Sequence, residues 1–248
     1  MTVIKSPQEV AIMRQAGKVV ARTLQRVKEE MKPGIKTSQL DSVAASELKK
    51  CGAKASFKGY RGFPAYLCVS VNDEIVHGIP GERELSDGDI VSLDFGAIVD
   101  GFHGDSAITV GVGKISSKAQ ELLAVTEAAL ITGIGAARSG VHLGDVSAAI
   151  QNYVEARGFS VVREYSGHGV GRNLHEDPLV PNFGSPGEGP ILRTGMTLAL
   201  EPMVTTGDWR TRLADNKWTV LTADGSLAAH FEHTIAINED EAEILTLL

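Results

Sequence analysis

The sequence predicts an α+β fold in which helices and strands come in blocks rather than in strict alternation. Four stretches show the three-and-four spacing of apolar residues that is typical of helices, and shorter stretches between and after them show strand-like apolar patterns. The chain has 248 residues, of which 43% are hydrophobic, enough for a large buried core. No linker or low-complexity segment divides it, so we expect residues 1–248 to form a single domain.

The first predicted helix has clear signals at both ends. Ser6-Pro7-Gln8-Glu9 contains a capping box, and its proline fits the first turn. Pro33-Gly34 stops the apolar periodicity that follows. The same criteria predict helices over about residues 38–50, 118–136 and 145–156, and strands over about residues 67–71, 90–95, 107–112, 160–164, 197–204, 218–222 and 233–238.

Part of this pattern occurs twice along the chain. Gly34 and Gly52 enclose the second helix, and Gly140 and Gly158 enclose the fourth, each displaced by 106 residues (140 − 34 and 158 − 52). One such match could arise by chance, but two in register favour an internal duplication. We therefore predict two related halves, roughly residues 10–112 and 118–240, around a pseudo-twofold axis.

Four acidic residues lie in or beside predicted strands: Asp94, Asp105, Glu201 and Glu232. Asp94 and Glu201 occupy matching places in the two halves, displaced by 107 residues (201 − 94), so the pseudo-twofold would bring them to one site. Any single acid could equally point outward from a half-solvated strand. If all four converge, two like charges about 4 Å apart cost about 4 kcal/mol at an effective dielectric of 20, which divalent cations offset better than protonation at neutral pH.

His168, within Gly167-His168-Gly169-Val170-Gly171, adds a nitrogen donor to this set. A lone histidine is more often structural, but one flanked by glycines has little packing of its own. Four carboxylates and one imidazole are too rich in oxygen for a structural zinc site and suit a pair of ions such as Mn, Fe, Co or Zn. Two such ions activate water and polarise a carbonyl group, so the residues predict a hydrolase.

The chain resembles methionine aminopeptidases of the short bacterial type I form, within the creatinase-like family that has the pita-bread fold. The resemblance covers essentially the whole chain and implies two pseudo-twofold-related halves whose helices cover a central, curved, mostly antiparallel sheet. Its specificity comes from five ordered strings: Val76-His77-Gly78-Ile79-Pro80, Asp100-Gly101-Phe102-His103-Gly104-Asp105, Gly167-His168-Gly169-Val170-Gly171, Glu201-Pro202-Met203 and Phe231-Glu232-His233-Thr234.

The resemblance also implies how the donors divide between two divalent ions. Asp94 and Glu232 would bridge the pair, Asp105 would complete the shell of one ion, and His168 with Glu201 would complete the other. The residues leave the identity of the ions open among Co, Mn, Fe and Zn.

Three residues have catalytic roles by the same resemblance. Glu201 would take a proton from the attacking water and pass it to the leaving amine. His175 would stabilise the developing oxyanion, and His77 would contact the peptide nitrogen or the residue after methionine. Without the resemblance, both histidines are better explained as ordinary loop residues.

A substrate pocket for methionine is implied around Tyr60, since a thioether packs well against aromatic rings and a thiol. Three apolar positions depart from the family pattern: Phe57 stands where cysteine is frequent, Phe63 where tyrosine is frequent and Leu174 where phenylalanine is frequent. The implied substrate-binding residues are Phe57, Tyr60, Phe63, Cys68, His77, Leu174, His175 and Trp218.

The leading hypothesis is therefore an aminopeptidase that releases N-terminal methionine from nascent proteins whose second residue is small. An X-Pro peptidase of the same fold and a non-catalytic binding protein are the alternatives, although the latter should lack metal donors. The histidines with the weakest case as ligands are His103, His142, His230 and His233.

Charge and targeting signals suggest where the protein works. The net charge of −7 argues against a nucleic-acid site, and the N-terminus has no signal peptide pattern. No apolar stretch approaches the length of a membrane span, and the two cysteines fit a reducing compartment. We expect a cytoplasmic monomer that meets its substrates at or near the ribosome.

Overall fold

The computed structural model of the chain describes residues 2–248, and it has the predicted α+β character. The described residues form four helices: α1 Pro7–Glu29, α2 Thr37–Lys50, α3 Ser117–Ala136 and α4 Leu143–Glu155. The capping box at the start of α1 is confirmed, because the Glu9 amide donates to Ser6 Oγ and the Ser6 amide donates to the Glu9 carboxylate.

Fifteen short strands account for most of the remaining regular structure within residues 2–248. In chain order they are β1 Lys54–Ala55, β2 Leu67–Val71, β3 Glu74–Val76, β4 Ile90–Val99, β5 Phe102–Gly111, β6 Ser160–Val161, β7 Gly167–Gly169, β8 Glu176–Val180, β9 Thr197–Leu200, β10 Met203–Thr205, β11 Thr211–Leu213, β12 Val220–Thr222, β13 Ala228–His230, β14 Glu232–Ala236 and β15 Glu243–Ile244.

The central sheet is antiparallel at every described strand pair. Its strands follow the order β1-β4-β5-β14-β9-β7-β8, with β2 also paired to β4 and β15 to β14. Within residues 2–248, two three-stranded sheets, β13-β10-β6 and β11-β12-β3, lie beside it. This order brings strands from distant parts of the chain together, with β5 and β14 adjacent at the middle.

The helices cover the sheet as two pairs, α1 with α2 and α3 with α4. α1 lies directly on β4 and β5, and the close approach depends on two glycines. A Cβ at Gly104 would lie 2.8 Å from the Gly17 nitrogen, and a Cβ at Gly17 would lie 2.0 Å from the Leu245 carbonyl oxygen. One hydrophobic cluster forms under α1 and α2, and a second around α3 and α4. The division into related halves over residues 10–112 and 118–240 stays a prediction.

One predicted strand, over residues 197–204, is two strands in the structure. β9 ends at Leu200 in the central sheet, and β10 begins at Met203 in a small sheet. The physical reason is Pro202, which has no amide hydrogen to continue the ladder. Glu201 consequently lies at the end of a strand rather than in its interior.

The length and polarity of the helices determine whether any of them could cross a membrane. Within residues 2–248, none of them combines the length and the apolar character that crossing a bilayer requires.

Candidate active site

The register of the central sheet places three acids on one face. Asp94 on β4 lies opposite Ala107 on β5, and Ala107 lies opposite Glu232 on β14. Asp105 is two residues before Ala107, so its side chain shares that face. Its partner on β4 is Gly96, where a Cβ would lie 2.7 Å from Ser56 Cβ and 2.9 Å from Phe57 Cε1.

The other two predicted donors join the same face from the other half of the sheet. His168 on β7 lies opposite Ala199 on β9, which lies opposite Thr234 on β14. Thr234 is two residues after Glu232, and Glu201 is two residues after Ala199, so all of these side chains project the same way. Ladder pairing therefore gathers Asp94, Asp105, His168 and Glu232, and Glu201 joins them one residue beyond the end of β9.

The distances between these side chains are short. His168 Nε2 lies 3.5 Å from Glu201 Oε1 and 4.0 Å from Asp105 Oδ2. Donor atoms of Asp105, His168 and Glu232 all lie within 4.8 Å of one another. Among the described residues, one buried oxygen each of Asp94, Asp105 and Glu232 has no hydrogen-bond partner. Buried carboxylate oxygens without partners are costly, and a bound cation would satisfy them.

A hydrogen bond to the backbone determines the tautomer of His168, and therefore which ring nitrogen can bind a metal. Its Nδ1 lies 2.9 Å from the carbonyl oxygen of Gly169, and a carbonyl can only accept. Nδ1 therefore carries the proton, and Nε2 presents its lone pair toward Glu201 and Asp105. This is the orientation that a metal-binding histidine requires.

Burial changes the protonation of the whole group. It raises the pKa of Asp94 to about 7, and burial together with the neighbouring carboxylates raises the pKa of Asp105, Glu201 and Glu232 as well. Burial also lowers the pKa of His168 to about 3. The imidazole is therefore neutral, as a ligand must be, and a cation that binds displaces protons from the acids.

These observations fit a divalent-metal site. Hard carboxylate oxygens and one neutral imidazole are the donors that ions such as Mn, Fe, Co and Zn accept, and no cysteine belongs to the group.

A cavity of about 150 Å³ opens onto the acids, and every predicted site residue lines it. Its walls are apolar and aromatic at one end and carboxylate-rich at the other. The lining residues are Phe57, Tyr60, Arg61, Phe63, Cys68, His77, Asp94, Asp105, His168, Leu174, His175, Glu201, Trp218 and Glu232.

Ring contacts define the apolar end of the cavity. Phe63 meets Trp218 edge to face, with ring centroids 5.2 Å apart, and Cys68 is buried beside them in the same cluster. Burial raises the pKa of the Cys68 thiol, so it is neutral there. The pocket therefore offers an uncharged wall of aromatic and sulfur atoms.

The two predicted catalytic histidines approach the acids from different loops. The Tyr60 hydroxyl hydrogen-bonds to Nδ1 of His175 at 2.8 Å, and the His175 ring centroid lies 4.2 Å from that of His168. His77 follows β3 with a φ of 60°, a conformation unusual for a side chain other than glycine. Burial lowers the pKa of His77 to about 4, so it is neutral at pH 7.

Sequence reasoning missed two residues at this site. Arg61 lines the cavity mouth, and nothing in its sequence context distinguishes it from a surface arginine. His230 is buried, with Nε2 3.7 Å from Glu201 Oε2 and 3.9 Å from Glu232 Oε2. Its position two residues before Glu232 was a usable signal, because alternate residues of an extended chain share a face.

The remaining three histidines have partners away from the acids. Nδ1 of His103 lies 2.9 Å from Ser56 Oγ, and Nδ1 of His142 lies 3.0 Å from a backbone carbonyl. Nδ1 of His233 lies 2.8 Å from Thr246 Oγ1.

An antiparallel sheet with an acid-rich candidate metal site on one face is the arrangement of a metal-dependent hydrolase of the pita-bread type, and comparison with known proteins assigns the chain to that class. The model of metallopeptidase family M24 matches residues 11–239. Methionine aminopeptidase 1 of Bacillus subtilis is 54% identical over 246 residues, which is 99% of each chain, and a Clostridium perfringens methionine aminopeptidase is 53% identical over the full length of both.

Solved structures agree with this assignment. A methionine aminopeptidase from Thermotoga maritima covers 100% of both chains at 48% identity, with a TM-score of 0.99. A prolidase from Pyrococcus furiosus is 20% identical with a TM-score of 0.79, which shows the shared fold alone. The chain belongs to metallopeptidase family M24 and, within it, to the methionine aminopeptidases.

Proposed function

We propose that this chain hydrolyses the N-terminal methionine from newly made proteins whose second residue is small, using two divalent ions. The observation that carries the proposal is that an apolar pocket and five metal-donor side chains line one cavity. The X-Pro alternative is not favoured, because its relatives share the fold at about a fifth identity while full-length methionine aminopeptidases reach about half. A non-catalytic protein would not need all five donors.

In this proposal the donors divide between the ions. Asp94, Asp105, His168, Glu201 and Glu232 would hold them, with Asp94 and Glu232 shared, Asp105 serving one ion, and His168 with Glu201 serving the other. When bound, the metal supplies an acidified water and polarises the scissile carbonyl. The oxygens of Asp94, Asp105 and Glu232 that lack hydrogen bonds support the binding of cations at this site.

The side chains of the chain itself carry the proton transfers. As water adds to the carbonyl carbon, the Glu201 carboxylate accepts its proton, and Glu201 then donates that proton to the amine as the C–N bond breaks. His175 donates to the oxygen that gains negative charge, and His77 contacts the peptide nitrogen. The neutral state of His77 is suited to this contact at pH 7.

The pocket selects methionine through its shape and polarisability. Phe57, Tyr60, Phe63, Cys68, Leu174 and Trp218 surround the side chain, and thioether–aromatic contacts contribute about 0.3–1.5 kcal/mol each. The phenylalanines and Leu174 remain apolar where the family pattern differs, so the preference for methionine is retained.

We further propose that the enzyme works as a cytoplasmic monomer on chains that leave the ribosome. Support for the monomer comes from the cavity, because the side chains that line it belong to one polypeptide. Analytical ultracentrifugation of the pure protein tests the monomer, and cosedimentation with ribosomes tests the contact with the ribosome.

The central experiment is peptide hydrolysis with defined metals. After chelation the protein should not cleave Met-Ala-Ser, and re-addition of Mn, Fe, Co or Zn one at a time should restore the release of methionine and identify the best ion. Ala-Pro should not be cleaved under the same conditions. Cleavage of Ala-Pro but not Met-Ala-Ser would overturn the proposed specificity.

Glu201→Gln tests the proton-transfer role. The amide cannot accept the proton of water, so turnover should fall by about 10² to 10⁴-fold while the circular dichroism spectrum is unchanged. Isothermal titration with metal distinguishes a lost base from a lost ligand. An unchanged kcat in this variant contradicts the role assigned to Glu201.

A further inference from the structure

The loop between β7 and β8, residues 170–175, brings Leu174 and His175 to the cavity. It has no regular structure, and few backbone hydrogen bonds hold it. The Val170 amide donates to the Thr197 carbonyl, the Gly171 amide donates to the Asn173 carbonyl, and the His103 amide donates to the Gly171 carbonyl. The β7–β8 ladder pairs Gly169 with Glu176 and so holds the two ends of the loop. Between these ends, the path of the backbone that carries His175 depends on the side chains around the loop.

A buried ion pair anchors the end of this loop to the N-terminal segment. Lys5 Nζ lies 2.6 Å from Glu176 Oε2, and the two side chains are 2% and 7% exposed. Glu176 is the residue directly after His175, and its other oxygen accepts the Asn173 amide at 3.1 Å. One carboxylate therefore links the loop backbone to Lys5.

Lys5 is itself firmly held. Its amide donates to the Gly195 carbonyl at 2.7 Å, and its Nζ also donates to the Val3 carbonyl at 3.2 Å. The loop backbone packs directly on the pair, because a Cβ at Gly171 would lie 2.5 Å from Lys5 Cε and 2.7 Å from Glu176 Oε1. Only glycine leaves room for this arrangement.

A buried ion pair is weak evidence for stability, since desolvation offsets much of its attraction, and apolar residues of similar volume can replace such pairs without loss of fold. What the pair does provide is a fixed geometry, because both charges must stay in contact once they are out of water. Here that geometry is imposed one residue from a side chain at the reacting centre.

We propose that Lys5 and Glu176 are positioning residues, which hold the loop so that His175 faces the scissile bond. The N-terminal segment before α1 is then part of the catalytic apparatus, although it does not touch substrate. This inference rests on the role proposed above for His175.

The test compares Lys5→Met with the double variant Lys5→Met/Glu176→Met, which leaves no unpaired buried carboxylate and should fold even if the single variant does not. In both variants kcat toward Met-Ala-Ser should fall by about 100-fold, which is the loss that a displacement of His175 by about 1 Å would cause. KM should change much less. Metal affinity by calorimetry should be unchanged, because no proposed ligand lies on the loop.

A second readout does not depend on turnover. In the zinc-loaded protein, the ring ¹H–¹³C signal of His175, assigned with His175→Ala, should shift in both variants while that of His142 stays in place. Arg14→Met is the matched control: it removes the Arg14–Glu243 pair, also from the N-terminal region, whose nitrogen and oxygen are 2.7 Å apart. It should leave kcat and the His175 signal unchanged.

Two outcomes would overturn the inference. One is a double variant with wild-type kcat and an unshifted His175 signal. The other is a parallel loss of metal affinity and activity, which would indicate general loosening of the fold. Neither result affects the proposed function, which depends on methionine release by the unmodified enzyme.

Discussion

At the mouth of the cavity, the Tyr60 hydroxyl and the His175 imidazole form a hydrogen-bonded pair that sets the direction of the second ring nitrogen. His175→Ala should lower kcat by about 10² to 10³-fold, because the proposed donor to the developing oxyanion is lost. Tyr60→Phe keeps the imidazole but removes the hydrogen bond that orients it. Such a bond contributes about 1 kcal/mol, so kcat should fall by roughly fivefold. Steady-state kinetics with Met-Ala-Ser separate the two.

The effects of the two variants on kcat and KM distinguish the possible roles of His175. Tyr60 also stacks on the His175 ring, and phenylalanine keeps that contact, so KM should change little in Tyr60→Phe. If His175→Ala raises KM and leaves kcat unchanged, His175 binds the ground state rather than the transition state, and the oxyanion role is wrong.

Single residues could be predicted where their chemistry conflicts with their surroundings. Asp94 and Glu232 stand in apolar strands, which makes an unexplained charge visible in the sequence. Arg61 gave no such conflict, since an arginine before a glycine fits any surface turn. The spacing of His230 from Glu232 indicates a shared face, but the neighbouring strands are needed to show that it also lies near Glu201. Roles for His77 and His175 came from family resemblance rather than from their own context.

At the level of elements, the contact of α1 with β5 and the C-terminal segment depends on Gly17. Helix propensity alone predicts that Gly17→Ala stabilises α1 by about 1 kcal/mol. The structure predicts the opposite sign, because the new Cβ would lie 2.0 Å from the Leu245 carbonyl oxygen, a backbone atom that cannot turn away. We expect a loss of roughly 1–3 kcal/mol in urea unfolding.

Gly135→Ala is the matched control for this substitution. Gly135 is also helical, in α3, is exposed, and has nothing within 4 Å of its ideal Cβ. At that position only the higher helix propensity of alanine should matter, so the substitution should stabilise the protein by roughly 0.5–1 kcal/mol. Equal and positive effects at both glycines would mean that the helix α1 is not seated as closely as described.

Element boundaries were predictable where local signals are strong. The capping box at Ser6 and the apolar run at Leu67–Val71 needed no tertiary information. β7 was not predicted, since Gly167–Gly169 has almost no strand propensity and exists because β8 and β9 flank it. Short strands of this kind form because neighbouring strands pair with them, so the local sequence alone does not predict them.

For the whole molecule, the buried acids of the candidate metal site and the buried histidines make the free energy of unfolding depend on pH in opposite ways. The four acids have raised pKa values, so each contributes stability that is present below its unfolded value and lost as pH rises through the folded one. Buried histidines act in the opposite sense, and their contribution is lost as pH falls below about 6.5. Those with lowered pKa values are His77, His103, His168, His175, His230 and His233.

Above pH 7 only the acids contribute to the pH dependence of stability, because histidines of the unfolded chain have by then lost most of their protons. Without metal, the free energy of unfolding should fall between pH 7 and 8.5, by about 1.4 kcal/mol per pH unit for each acid still protonated in the folded state. With saturating metal the acids are already ionised, so the curve should be flat and higher. Urea titrations with and without chelator measure both, and Asp105→Asn should flatten the metal-free curve. A metal-free protein that gains stability over this range would show that the acids are not gathered in one buried site.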